Sequence, residues 1–148
     1  MTASLEAPCP PRRLFAAVED LGRYPAWLSI VPKAEPAPAA PGDAGPAWSV
    51  ELRGRIGPLA RSKRLRMVRT VHEAPTRVRF ERRELDGRRH SAWVLEARVV
   101  ADGGLSRLEM DLHYGGSFGG SVLERLLSEE IDESRPRLLA QLAAVDPA

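Results

Sequence analysis

The sequence has a single cysteine, Cys9, so no disulfide can close within the chain. Neither Cys9 nor His72, His90 or His113 falls at a zinc-ligand spacing, and no metal or other cofactor is expected. Lysine is almost missing: Lys33 and Lys63 are the only two among 22 basic residues. With so much Ala and Pro, that bias has the look of GC-rich codon usage, so a single arginine carries little functional information. Aromatic residues make up 5% of the chain, too few to interleave with the arginines as base-stacking platforms, which argues against a nucleic-acid partner. No apolar run approaches the ~20 residues that span a bilayer, so stable membrane insertion is not expected. The opening MTASLEAPCP has no basic stretch followed by an apolar one, so a secretory leader is not expected and the expected compartment is the cytoplasm.

The 148 residues, 43% hydrophobic and 28% charged, suit one domain spanning 1–148, as a monomer or homodimer. Net charge is only +2, but it is unevenly placed. Between Arg53 and Arg83 lie eleven basic residues against Glu73 and Glu81. From Glu124 to Glu133 the balance reverses, with Glu124, Glu129, Glu130, Asp132 and Glu133 against Arg125. One reading is a basic sheet partly neutralised by an acidic helix; the other is a basic strip that recruits phosphate or an acidic partner.

Ala3–Ala7 alternates as a first strand. Pro10-Pro11 suits a first helical turn, where a missing N–H costs nothing, and Leu14, Phe15, Val18 and Leu21 follow at helical spacing up to Gly22. Tyr24–Leu28 reads as a second short helix, and Pro32–Pro46 as a loop or poorly paired edge. From Trp48 the period becomes two. Trp48, Val50, Leu52 and Ile56 share a face, Gly57-Pro58 turns, and strands follow over Arg61–Val71, Arg77–Glu84, His90–Val100 and Leu105–Tyr114. Asp86-Gly87 and Asp102-Gly103-Gly104 are tight-hairpin signals, giving an antiparallel meander with one wet and one apolar face. After the glycine-rich Gly115–Gly120 connection, Ser121 and Glu124 stand at capping-box spacing before a helix reaching about Ala144 and interrupted by Pro136. That connection lacks the Lys-Ser/Thr ending of a phosphate loop.

The apolar faces carry the candidate site. On the last helix Leu123, Leu127, Ile131 and Leu138 form one stripe, and Glu130 and Ser134 fall inside it. On the sheet, strict alternation puts Arg69 beside Leu65 and Met67, and Arg82 beside Val78 and Phe80. Trp27, Trp48, Trp93, Leu95, Met110, Leu112 and Tyr114 also face inward. An unpaired carboxylate against an apolar sheet is costly, so the polar groups either line a cavity between helix and sheet or turn outward. Inward aromatics with a few polar groups describe either a core or a ligand cavity.

The opening SLEAPCPPRRLFAAVEDLGRYPAWLSIV, with Asp20, Leu21, Tyr24, Pro25 and Trp27 in a D-L-x-x-Y-P-x-W pattern, resembles the START-like helix-grip superfamily (SRPBCC), the polyketide cyclase/dehydrase and lipid-transport proteins. The resemblance extends over nearly the whole chain. It implies an α+β fold: a curved antiparallel sheet of about seven strands gripping a long C-terminal helix, with two short helices after the first strand and part of Val31–Pro38 as the second strand. It also implies an apolar tunnel between sheet and helix. Proteins of this kind bind lipids, sterols, quinones or polyketides, and a minority catalyse cyclisation or dehydration. The expected function is therefore binding or carrying an apolar or aromatic small molecule. The alternative is a polyketide aromatase/cyclase or dehydratase in which Arg69, Arg82, Tyr114 or Glu130 takes part; no motif here fixes any of them as catalytic.

Overall fold

The computed structural model describes residues 2–53, 62–115 and 120–145. The strands are β1 (Thr2–Ala7), β2 (Lys33–Ala37), β3 (Ala47–Leu52), β4 (Lys63–Glu73), β5 (Arg77–Arg82), β6 (Trp93–Asp102) and β7 (Leu105–Tyr114). Helix α1 (Pro11–Val18) and a 3₁₀ helix (Leu21–Ala26) follow β1, and α2 (Gly120–Val145) ends the described chain. All strand pairings are antiparallel, in the order β1-β7-β6-β5-β4-β3-β2. This is the α+β helix-grip arrangement.

Alternation builds the sheet. Along β6, Trp93, Leu95, Ala97 and Val99 are buried while the residues between them are half-buried. In the β6–β7 hairpin Asp102 faces Leu105, and Gly103 and Gly104 both take positive φ, at 57° and 90°. That is the conformation a two-residue turn requires and that side chains resist. The Asp86-Gly87 signal marks a different object. β5 ends at Arg82 and β6 begins at Trp93, so the turn sits within a longer connection, with Asp86 accepting from the Arg88 N–H at 3.0 Å. The proline-rich segment holds β2, which is possible because β2 lies at the sheet edge, where Pro36 need not donate to a further strand. Ile56 and Gly57-Pro58 lie outside the described residues.

Among the described residues, most sheet arginines are matched by acids of the sheet and its loops, and none pairs with an acid of α2. Glu96, on the solvent face of β6, accepts from Arg77 Nε at 3.0 Å, Arg79 Nε at 3.1 Å and Arg98 Nη1 at 2.5 Å. Arg98 also reaches Asp111 at 2.6 Å. Burial pushes the Glu96 carboxyl up, and the hydrogen bonds from Arg77, Arg98 and Arg79 outweigh it, holding it below the usual range.

α2 packs against β1 and contributes Ile131, Ser134, Leu138 and Leu142 as its buried stripe. Burying the three aliphatic side chains contributes roughly 5–9 kcal/mol gross. Arginines fasten the helix to the rest of the chain: Arg135 Nε donates to Glu6 O at 3.0 Å, Arg137 Nε to Trp27 O at 3.2 Å, and Arg13 Nη2 to Leu142 O at 2.8 Å. The helix begins at Gly120, so Ser121 stands inside it rather than at its cap.

Candidate functional site

The D-L-x-x-Y-P-x-W segment builds the floor of the site. A helix leaves its last four carbonyls without intrahelical partners. Here the carbonyls at the end of α1 each receive a side-chain donor. Arg23 reaches Ala16 O at 3.4 Å, Trp27 Nε1 reaches Ala17 O at 3.4 Å, Tyr24 Oη reaches Val18 O at 2.9 Å, and Arg69 Nη1 reaches Glu19 O at 2.9 Å. Asp20 starts the 3₁₀ helix by accepting from the Gly22 N–H at 2.8 Å. Full burial pushes the Tyr24 phenol far above its ordinary value, so it stays a donor. The motif is thus a clamp on α1.

Between this clamp and the sheet lies a cavity of about 40 Å³. Leu21, Leu28, Ile30 and Val31 form one wall. Val50, Leu52, Leu65 and Met67 of β3 and β4 face them, and Trp93, Leu95 and Leu112 close the third side. The lining residues are all apolar. Among the described residues Trp93 Nε1 is buried without a hydrogen-bond partner, and the surface Trp93 gives the cavity is apolar. Trp93 packs on Tyr114 with ring centroids 4.6 Å apart.

Of the residues singled out from the sequence, the cavity brings together Leu65, Met67, Trp93, Leu95 and Leu112. Trp27, Trp48 and Phe80 instead join Tyr24 in a buried aromatic chain: Tyr24–Trp27 at 5.1 Å, Tyr24–Phe80 at 6.1 Å and Trp48–Phe80 at 5.6 Å. Met110 and Ile131 are fully buried in the core, and Tyr114 is partly buried at its margin. The side chain of Leu127 lies outside the described residues.

The polar candidates are engaged elsewhere. Arg69 and Arg82 stand opposite Phe80 and Met67 in the β4–β5 register, hence on the inward side. Arg69 is committed to Glu19 O, and Arg82 pairs with Glu84 at 2.7 Å and donates to Ser91 O at 3.3 Å. Glu130 accepts from Ser29 Oγ across the gap from α2 to the segment that walls the cavity. Ser134 bonds back to Ile131 O at 2.7 Å within its own helix. Sequence reasoning missed Leu21, Leu28, Ile30, Val31, Val50 and Leu52 as lining. Leu28, Ile30 and Val31 lie in irregular chain where no period places them, whereas Leu21 was read as part of a helical face and Val50 and Leu52 as inward-facing.

His72 and His90 bond to Glu19 at 2.9 Å and to Asp86 at 2.8 Å, and His113 is exposed. Among the described residues, no three of His, Cys, Asp and Glu are grouped to hold a metal ion. No helix among them is long and apolar enough to cross a membrane.

The fold recurs among solved structures. A START superfamily protein from Mycobacterium smegmatis superposes with a TM-score of 0.70 at 11% identity, covering 99% of this chain and 98% of that one. A protein from Thermus thermophilus gives 0.73 at 17% identity, covering 99% and 98%. The di-domain ARO/CYC StfQ of the steffimycin biosynthetic pathway gives 0.68 at 13% identity, covering 95% of this chain and 45% of that one. No curated protein matches the sequence. At such identities the superpositions carry the fold alone, and the family comes from the sequence. Residues 1–144 match the family model described as polyketide cyclase / dehydrase and lipid transport, and the chain belongs to that family of START-like helix-grip proteins.

Proposed function

We propose that this protein binds or carries an apolar or aromatic small molecule in the cavity between the Leu21–Val31 segment and the sheet. The observation that carries the reading is a space between the Leu21–Val31 segment and the sheet whose lining is entirely apolar. Apolar area removed from water supplies affinity.

A cavity that accepts benzene is about 150 Å³. The present one, at about 40 Å³, must therefore widen when a ring enters. The wall able to give way is Leu28–Val31, which belongs to no strand or helix and is held to α2 by the Ser29–Glu130 hydrogen bond. A cyclase or dehydratase reading needs a cation or acid aimed at the reacting carbon skeleton. The commitments of Arg69 to a backbone carbonyl, of Arg82 to Glu84 and of Glu130 to the Ser29 hydroxyl favour binding over catalysis.

The test is titration with N-phenyl-1-naphthylamine, a neutral probe that brightens in apolar surroundings. The expected result is saturable binding to the wild type, weakened at least about tenfold by Val50→Phe, which fills the cavity. Val50→Leu, one methylene larger, should keep the fold intact and weaken binding less. Absence of saturation in the wild type, or equal affinity in all three proteins, refutes the reading.

A further inference from the structure

We infer that the ligand is an anionic amphiphile, its apolar part in the cavity and its negative group on a basic rim at the same end of the sheet. The inference rests on the binding function proposed above and narrows the ligand class. Its starting point is a contrast between paired and unpaired cations. In the body of the sheet and its loops, Arg66, Arg77, Arg79, Arg82, Arg83, Arg98 and Arg107 each have a carboxylate within 4 Å. Arg53, Lys63, Arg64, Arg88 and Arg89 have no such partner among the described residues.

Four of these cations, Arg53, Lys63, Arg88 and Arg89, share one end of the molecule with the cavity, while Arg64, out of phase with Leu65 and Met67, lies on the outer face of the sheet opposite Glu51. Leu52, a lining residue, is the last residue of β3 and stands opposite Lys63, the first of β4. Arg53 follows Leu52, and its N–H bonds to the carbonyl of Ile30, another lining residue, at 2.9 Å. Arg88 and Arg89 lie in the connection that leads directly into Trp93. That connection runs beside the start of β4, because Arg83 N donates to Arg66 O at 2.9 Å. Of the acidic groups at this end, Glu84 is paired with Arg82, and Asp86 bonds His90 and also feels the charge of Arg88. Glu51 is half-buried, opposite Arg64 and Lys33 in the register.

A group of cations without carboxylate partners beside an apolar cavity attracts an anion and holds it next to a desolvated tail. Each exposed pair is worth little alone, so affinity for the head group comes from several acting together and is sensitive to salt. A carboxylate, sulfate or phosphate monoester on an apolar chain or ring fits this arrangement.

The experiment compares octanoate with 1-octanol, which share a tail and differ in charge, by calorimetry at low and high salt. The expected result is that wild type prefers octanoate by about tenfold at low ionic strength and loses the preference near 0.5 M NaCl. Arg53→Gln with Lys63→Gln should abolish the preference while leaving 1-octanol affinity unchanged; Arg53 is exposed and Lys63 half-buried, and an unchanged melting midpoint checks that the double variant folds as the wild type does. Equal affinity for the two probes in wild type overturns this inference and leaves the binding function standing. Failure of both probes to bind overturns the binding function itself. A third arm uses phosphatidylglycerol vesicles: if the double variant loses vesicle binding but keeps its octanoate preference, the rim docks on a membrane surface and the inference fails.

Discussion

Replacing Arg69 with alanine removes the donor that reaches Glu19 O at 2.9 Å at the C-terminal end of α1. The group is half-buried, the donor is charged, and it lies where the helix dipole favours a cation. A hydrogen bond involving a charged group contributes about 1.5–3 kcal/mol. For a chain of this length each kcal/mol moves the melting midpoint by roughly 2–4 °C, so Arg69→Ala should lower it by about 3–12 °C. Arg69→Lys keeps the charge near the carbonyl but loses the reach of the guanidinium, and should fall between. Thermal melting followed by circular dichroism at 222 nm reads both. Probe affinity, measured well below the melting range, should change little. Unaltered stability with abolished binding would show that Arg69 serves the ligand and not the helix.

Glu96→Gln leaves Arg77, Arg79 and Arg98 around a neutral amide and should cost about 1–2 kcal/mol, checked by urea titration. Because the folded carboxyl sits below its ordinary value, its contribution is complete above the usual glutamate range near pH 4.3 and is lost as pH falls below that. The variant should therefore show a flatter acid limb of stability against pH. Gly45→Ala places a Cβ 2.5 Å from the Arg69 carbonyl oxygen, so one backbone must move. A loss of about 1–3 kcal/mol is expected in the same titration, and a variant as stable as wild type would contradict the close approach.

That contact also explains what the sequence reveals about Arg69 and what it withholds. Alternation along Leu65 and Met67 correctly turns Arg69 inward, but it knows nothing of α1, whose exposed carbonyl lies there. Between Arg69 and Val71 the register with β5 shifts, and the Gly45-Pro46 segment crosses at that bulge, with Arg69 N donating to Pro46 O. The later strands and α2 were legible because long periodic runs bury one face. β2 was obscured by prolines that an edge strand tolerates, and the Asp86-Gly87 turn by a connection whose length the dipeptide does not encode. For the site, inward-facing Leu65, Met67, Trp93, Leu95 and Leu112 could be read from period two. The wall from Leu21 to Val31 could not, since its position follows from side-chain clamps on a helix end. Glu130 was legible as anomalous on its helix; its partner Ser29, about a hundred residues earlier, was not.

The first strand completes the far edge of the sheet by pairing with β7, Leu5 against Leu108. On a ribosome adding roughly 5–20 residues per second, Thr2–Ala7 waits about 5–20 seconds for that neighbour to be made. Through that interval its backbone amides and Leu5 lack their β7 partner, so the strand stays open to non-native pairing until β7 is made. Slowing translation before β7 should lengthen the exposure and lower the yield of folded protein.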